Sequence, residues 1–521
     1  PRRATHRRPR ARSAHPASRS DRQVRSIPAD LYATAWVDPS PATLNKVFEH
    51  LRALQRILYD YVPRHVSESP PRPGQVRHGW QEGTLMFTDM AGFTPLMEAN
   101  AARGAAGAES LLGVLNAYFA EMLEIISKSG GNLLEFTGDA LLAQFPANER
   151  RSDAAQAVRA GLRMQRAMKR FLTIETDSGP LSLGMRVGLH TGRFMAADIG
   201  TPRRMEHILL GTAVQTAKRS EGAGEQGRVC LTQAALERVQ DQFRFEPGKP
   251  GHFLIVDDLT DQQLGEYDIA ASSRRPPSMV LMDRSVEGLT SAIENAVNLV
   301  EPLACYLPDP VLHLVVESAA RRRIVPDFPR PTVMFVNLIG LPESIDIARP
   351  DEAEAVIASF SRVFAMINAA VETRGGLLKK VTYHTAGSDI VIYFGAPTAH
   401  TNDSARAADA ALAIRDIITS LAPPTVGGKQ VTVECQLGLN QGNTFAAEIG
   451  EPRGRREFNV LGDTVNTAAR LMSRAVGNRI LLSESVYQDI AARFKCDSLG
   501  KFPLKGKAAP VPMYALKSLA G

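Results

Sequence analysis

Apolar positions along the chain follow two rhythms. Leu111, Leu112, Leu115, Tyr118, Phe119, Met122 and Leu123 recur at i, i+3, i+4 and i+7, which predicts an amphipathic helix. Gly130-Gly131 stops it. The runs GTLMFTDMAGF (83–93) and MRVGLHTGRF (185–194) are short, β-rich and punctuated by glycine, and predict strands. GGNLLEFTGDALLAQF (130–145) predicts a hairpin, and a second helix follows over about 152–171. The order β-α-β-β-α-β suggests a ferredoxin-like α+β sandwich.

The same order returns further along. GTLMFTDMAGF parallels PTVMFVNLIGL (331–341), and the hairpin parallels GGLLKKVTYHTAGSDIVIYFG (375–395). MRVGLHTGRF parallels CQLGLNQGNTF (435–445), and IGTPRRMEHILLGTAVQTAKR (199–219) parallels IGEPRGRREFNVLGDTVNTAAR (449–470). The offset drifts from 248 at Asp89/Asn337 to 251 at Arg219/Arg470, so the chain holds two tandem copies of one domain. A helix ending in LYDYVPRHV (58–66) or LACYLPDPV (303–311) precedes each copy. This divides the chain into a basic tail expected to be disordered (1–40), a helical lead-in (41–80), copy one (81–270), a linker with helices (271–330) and copy two (331–518). FPLKGKAAPVPMYAL (502–516) predicts a closing strand pair.

Composition adds exclusions. The 521 residues are 44% hydrophobic and 22% charged, an ordinary globular balance. No run approaches the ~18 uncharged apolar residues of a membrane span. Four scattered Cys without a CxxC pair argue against zinc and disulfides and for a reducing, cytoplasmic setting. The net charge of +6 suggests nucleic acid, but nine Arg and one Asp fall within residues 1–25, and the rest of the chain sums to −2. That tail carries no interleaved aromatics, so no nucleic-acid partner is expected. It has no apolar core of a secretory signal, and the chain begins at Pro1, as a fragment or an upstream stretch translated in frame would. No P-loop motif is present.

Copy one places Asp89 at a strand end and Asp139 at a hairpin turn. Two carboxylates on neighbouring strands can hold two divalent ions, which prefer oxygen ligands and can clamp a phosphoryl transfer. Met90-Ala91-Gly92-Phe93-Thr94 then turns into a helix, whose amides form an anion cradle. Arg186 adds a cation for a phosphate tail. Singly, each Asp is equally well a turn or cap residue; paired in one framework they favour a site. Copy two has Asn337 and Ser388 at these places, and Asp389 falls one position later, where alternation turns it to the opposite face. It keeps Lys380, Asn459 and the helix-face pair Asn466 and Arg470, where copy one has Glu135, Ile208, Gln215 and Arg219. Lys379 is a rival to Lys380, because the hairpin beyond is longer in copy two.

In order, FTDMAGFT, EFTGDALLA, RVGLHTG and VLGDTVNTAARL resemble the class III adenylyl and guanylyl cyclases over about 80–270 and 330–518. The tandem pair is similar to that of bicarbonate-responsive soluble adenylyl cyclases and their bacterial relatives. Such proteins commonly continue into an ATPase and helical repeats, which would be missing here. The resemblance implies an intramolecular pseudo-heterodimer, functional as a monomer, with one active site between the copies. Asp89 and Asp139, with the main chain at Met90, would bind two Mg²⁺ or Mn²⁺ ions, one activating the ribose 3′-OH and one holding the β- and γ-phosphates. Arg186, the amides of Ala91, Gly92, Phe93 and Thr94, and Lys505 would grip the triphosphate. Asn466 would orient the ribose, and Arg470 would stabilise charge at the α-phosphate. Lys380 matches the adenine-reading set. Asn459 departs from both base patterns, since an amide serves adenine or guanine; ATP is favoured over GTP. In the second site the bicarbonate-responsive relatives use a Lys and an Arg. Glu135 stands at the Lys position here, where it would repel bicarbonate or pair with Arg219, so no bicarbonate activation is expected.

Overall fold

The computed structural model describes residues 25–265, 283–504 and 509–520, apart from positions 150, 178, 322 and 452–453. Most of the basic tail and the start of the linker lie outside these. Residues 29–37, assigned to the tail on composition, instead form a helix, α1 (Ala29–Val37). The apolar spacing of Leu31, Tyr32 and Ala35 accounts for it, because these side chains pack on a small cluster with Leu51 and Ala296.

Copy one contains β1 (Arg77–Ala91), α4 (Phe93–Ala101), α5 (Gly104–Lys128), β2 (Asn132–Thr137), β3 (Ala140–Pro146), α6 (Asp153–Ala167), β4 (Gly184–Gly200), β5 (Met205–Leu210), α7 (Thr212–Ala223) and β6 (Val229–Thr232). Short strands β7 (Phe245–Pro247) and β8 (His252–Ile255) complete a sheet of order β2-β3-β1-β4-β6-β8-β7, with β5 paired to the far end of β4. Copy two repeats this with β9 (Thr332–Ile339), α10 (Pro350–Glu372), β10 (Leu377–Tyr383), β11 (Ser388–Phe394), α11 (Asp403–Thr419), β12 (Glu434–Gln441), β13 (Phe445–Gly450), β14 (Arg456–Leu461), α12 (Asp463–Met472), β15 (Ile480–Ser483), β16 (Phe494–Phe502) and β17 (Val511–Leu519). Its sheet order is β10-β11-β9-β12-β15-β17-β16, while β13 and β14 pair apart from it. The expected α+β sandwich and tandem architecture are present.

The apolar face of each long helix covers one side of its own sheet. Leu111, Leu115, Tyr118, Phe119 and Met122 of α5 are all fully buried. Both α5 and α10 are long and apolar enough to cross a membrane, and about half of each apolar window is buried in the domain core.

The two copies exchange hairpins. Phe445, Ala447, Ile449 and Leu461 of β13–β14 pack in the core of copy one. Met195, Ala197, Ile199, Ile208 and Leu210 of β4–β5 pack in the core of copy two. Each buried Leu, Ile, Met or Phe among them contributes about 1.5–3 kcal/mol, so this exchange holds the copies face to face.

The lead-in helices α2 (Pro41–Tyr61) and α8 (Val286–Ala304) join them. Val47, Leu51, Leu54, Leu58 and Tyr61 follow i, i+4, i+7, i+11, i+14 spacing, the seam of a two-stranded coiled coil. They pack with Ala296, Val297, Val300 and Leu303. Both helices end at the Tyr-x-Pro phrases noted above, and each phrase is held by the opposite copy. Arg455 donates to the carbonyls of Tyr61 and Leu134, and Arg204 to those of Tyr306 and Lys379.

Candidate active site

Asp89 sits near the end of β1, where the chain turns through Gly92 at φ 92°. A Cβ at Gly92 would meet the Ser182 carbonyl oxygen at 2.2 Å, so this turn needs glycine. Gly138, at φ 68°, makes the hairpin turn that presents Asp139. Burial, and then the neighbouring Asp89, push the Asp139 carboxyl up to about 7. A carboxyl raised by burial beside a second carboxylate is an arrangement that a divalent cation would relieve. Among the described residues no group of three or more His, Cys, Asp and Glu converges as a metal site.

Arg186 was expected to face a phosphate tail. The β1–β4 register instead places it directly across from Asp89, to which it is ion-paired, and 2.9 Å from Glu221. The cross-strand neighbour captures the guanidinium. Glu221 also binds Lys218 at 3.0 Å. Burial lowers the Lys218 pKa, but Glu221, Asp89 and Asp139 outweigh it and hold it above the usual value. Lys218 and Glu221 were not anticipated.

The groups from copy two come from β10, β14 and α12. β2 and β10 each carry a bulge, between Leu133 and Glu135 and between Leu378 and Lys380. That shared irregularity makes Lys380, rather than Lys379, the counterpart of Glu135. Lys380 Nζ reaches across the interface to the Phe136 carbonyl oxygen at 2.6 Å and pairs with Glu457. Lys379 lies 3.4 Å from the same carboxylate. Burial would raise Glu457, yet Lys379, Lys380 and Arg455 hold it down at about 2. Asn459 is two places further along β14, on the same face by strand alternation. It is 2% exposed, and its side-chain nitrogen has no partner. A buried amide donor without an acceptor is costly.

α12 starts against copy one. A Cβ at Gly462 would come within 3.0 Å of the Met97 sulfur in α4, the helix that follows the Gly92 turn. Leu461 lies beside Gly138. Asn466 and Arg470 therefore stand on one face of a helix anchored next to the copy-one turn, and Arg470 is tethered to Asp463 at 3.3 Å. Lys505 lies outside the described residues.

The pseudo-symmetric site differs from expectation in two respects. Asp389 is the direct cross-strand partner of Asn337, so the two share a face; the register, not the count from Gly387, decides this. Asp389 is buried with one oxygen unpartnered, and burial lifts its carboxyl to about 6. Glu135 does not pair with Arg219. It accepts from Thr137 and Thr382, each at 2.7 Å, while Arg219 bonds Thr216. The hydroxyls lie on the same and facing strands, closer to Glu135 than the exposed α7 surface that carries Arg219.

The chain matches the adenylate and guanylate cyclase catalytic domain family over residues 77–253 and 326–518. It is 25% identical to adenylate cyclase type 10 of Mus musculus over 453 residues, 83% of this chain and 26% of that protein. It is 27% identical to adenylate cyclase 1 of Rhizobium meliloti over 213 residues, 40% of this chain and 31% of that one. The chain thus spans about a quarter of the mammalian relatives it matches. A class III adenylyl cyclase-like ATP-binding protein from Pseudomonas aeruginosa superposes over 85% of this chain and 93% of its own, with a TM-score of 0.53 and 12% identity. Two matched segments, one on each copy of a fold built twice around a shared interface, place the chain in the class III adenylate and guanylate cyclase catalytic domain family.

Proposed function

We propose that the chain is an adenylate cyclase that forms 3′,5′-cyclic AMP and pyrophosphate from ATP at one composite site. The observation that carries this reading is the complementarity of the copies. Copy one supplies the Asp89–Asp139 pair and the Gly92 turn, and copy two supplies Lys380, Asn459, Asn466 and Arg470 from elements packed against them. Adenylate cyclases of similar sequence over 83% of the chain support ATP as the substrate.

Asp89, Asp139 and the main chain at Met90 would hold two Mg²⁺ or Mn²⁺ ions, which when bound supply activation of the ribose 3′-OH and neutralisation of phosphate charge. The amides of Ala91, Gly92, Phe93 and Thr94 face the phosphate chain at the start of α4. Asn466 orients the ribose. Arg470 stabilises charge that develops as the 3′-oxygen bonds to the α-phosphorus and pyrophosphate departs, the 3′-OH proton passing to solvent. Lys380, fixed by Glu457, and the unpartnered Asn459 amide read the base. Arg186 serves as the counter-ion of Asp89. The protein acts as a monomer in the cytoplasm, a reading consistent with its four free cysteines.

Purified protein supplied with ATP or GTP, in Mg²⁺ and in Mn²⁺, tests the proposal by chromatography of the product. Cyclic AMP should form, and Asp89→Asn and Arg470→Ala should each abolish it without altering the melting curve. A second reading, an ATP-binding module with little turnover, draws on the Pseudomonas fold-mate described as ATP-binding. It predicts ATP binding by calorimetry with no cyclic product.

A further inference from the structure

In copy two the turn after β9 and the β10–β11 hairpin keep the glycine frame of copy one. Gly340 and Gly387 have φ of 91° and 81°, beside 92° and 68° at the equivalent Gly92 and Gly138. The amides of this frame are already occupied. One carboxylate, that of Glu343, accepts from Gly340 N at 2.8 Å and from Gly387 N at 2.5 Å. It also accepts from the Gln215 side chain at 2.5 Å. Gln215 belongs to copy one and is the counterpart of Asn466, so this last bond crosses the interface. Position 343 corresponds to Pro95 in copy one, which has no carboxylate to offer. Three residues on, Asp346 accepts from Thr212 N at 2.8 Å and sits over Gly211, at the start of α7.

We propose that Glu343 is a tethered carboxylate ligand of the second site, filling an oxyanion cradle that a free anion would otherwise take. Two main-chain amides and a carboxamide converging on one carboxylate form the donor set that recognises bicarbonate, acetate or phosphate. A ligand carried by the same chain acts at a high effective concentration, which a free anion must overcome. Glu135, buried at the interface where it accepts from Thr382, adds a second acid that disfavours an incoming anion. The second site is thus closed by the chain itself. Its closure, joined to α7 through Gln215 and Thr212, sets how the two copies meet without any external ligand. The inference concerns the second site and does not require that the first one turn over ATP.

The test uses the full chain, with sodium bicarbonate, acetate and phosphate as probes against matched chloride. In the wild-type protein, none of them should shift the melting temperature measured without nucleotide or raise cyclase turnover. Glu343→Ala should melt lower and turn over several-fold more slowly, and acetate or bicarbonate should restore both in a saturable manner. Glu343→Gln keeps the shape without the charge, and should fall between the two with a weaker anion response; it serves if Glu343→Ala does not fold. A several-fold bicarbonate activation of the wild type would overturn the proposal. So would a Glu343→Ala or Glu343→Gln protein with unchanged melting and no anion response. The melting arm needs no catalysis, so it stands or falls apart from the cyclase assignment.

Discussion

Gly92 and Gly340 make the same left-handed turn at the ends of equivalent strands, and Gly138 and Gly387 do so at equivalent hairpins. Beyond the turn, Pro95 offers the first cradle no carboxylate, and Glu343 fills the second. Asp89 and Asp139 border the first cradle, whereas Asn337 borders the filled one and spends its amide on Ala386 and Gln436. The backbone frame is therefore indifferent to function. A few side chains decide whether its donors are taken by the chain itself.

The widest contrast between the copies should lie in catalysis. Asp89→Asn or Arg470→Ala should lower turnover by about 10²–10³-fold or more, the range for removing a group that stabilises transition-state charge. Asn337→Asp and Arg219→Ala, at equivalent positions, should leave it unchanged; equal losses in both pairs would erase the distinction.

Stability should separate the two Arg-x-Glu pairs next. Glu457 balances Lys379, Lys380 and Arg455, whereas Glu206 has Arg204 at 2.6 Å. Glu457→Gln strands several buried cations and should cost about 3–5 kcal/mol in urea unfolding, with Glu206→Gln costing less.

Metal response comes third. Mn²⁺ should raise the melting temperature of the wild type, should have no effect on Asp139→Asn, and should gain no second increment in Asn337→Asp.

Acid should loosen copy one before copy two. Burial, and then His207, lower the His65 pKa to about 3, and burial, then Arg219, lower that of His190 to about 4. Both folded values lie below the ordinary 6.5, so their contribution is full above 6.5 and is lost as pH falls from there towards 4 for His190 and 3 for His65. Copy two has Asn440 in place of His190, and the phrase ahead of it has Pro310 in place of His65, so it lacks this liability. Hydrogen exchange at pH 5 and 7 reads the difference segment by segment. The smallest effect belongs to deletion of residues 1–24, which should leave turnover and melting as they were.

Much of this was legible in the sequence. The repeat fixed equivalent positions, and equivalence exposed Asp89, Asp139 and Asn466 as groups that one copy alone retains, on the same frame as Arg470, which Arg219 matches. Glu457 could have been found too. Arg204-x-Glu206 and Arg455-x-Glu457 recur at one offset, and Glu457 shares the β14 face with Asn459. Other features had no one-dimensional signal. The choice between Lys379 and Lys380 rested on a bulge, and the capture of Arg186 by Asp89 on cross-strand register. Glu343 reads as an ordinary surface acid, because its partners lie 44 residues ahead and 128 behind.

The exchanged hairpins bear on synthesis of the chain. Copy one emerges first from the ribosome, but its core includes Phe445, Ala447, Ile449 and Leu461. Until those residues are translated it presents an incomplete apolar surface, the kind of intermediate that chaperones hold and that otherwise aggregates. The two halves mature together, and a message truncated between them would yield a protein with a gap in its interior rather than half an enzyme.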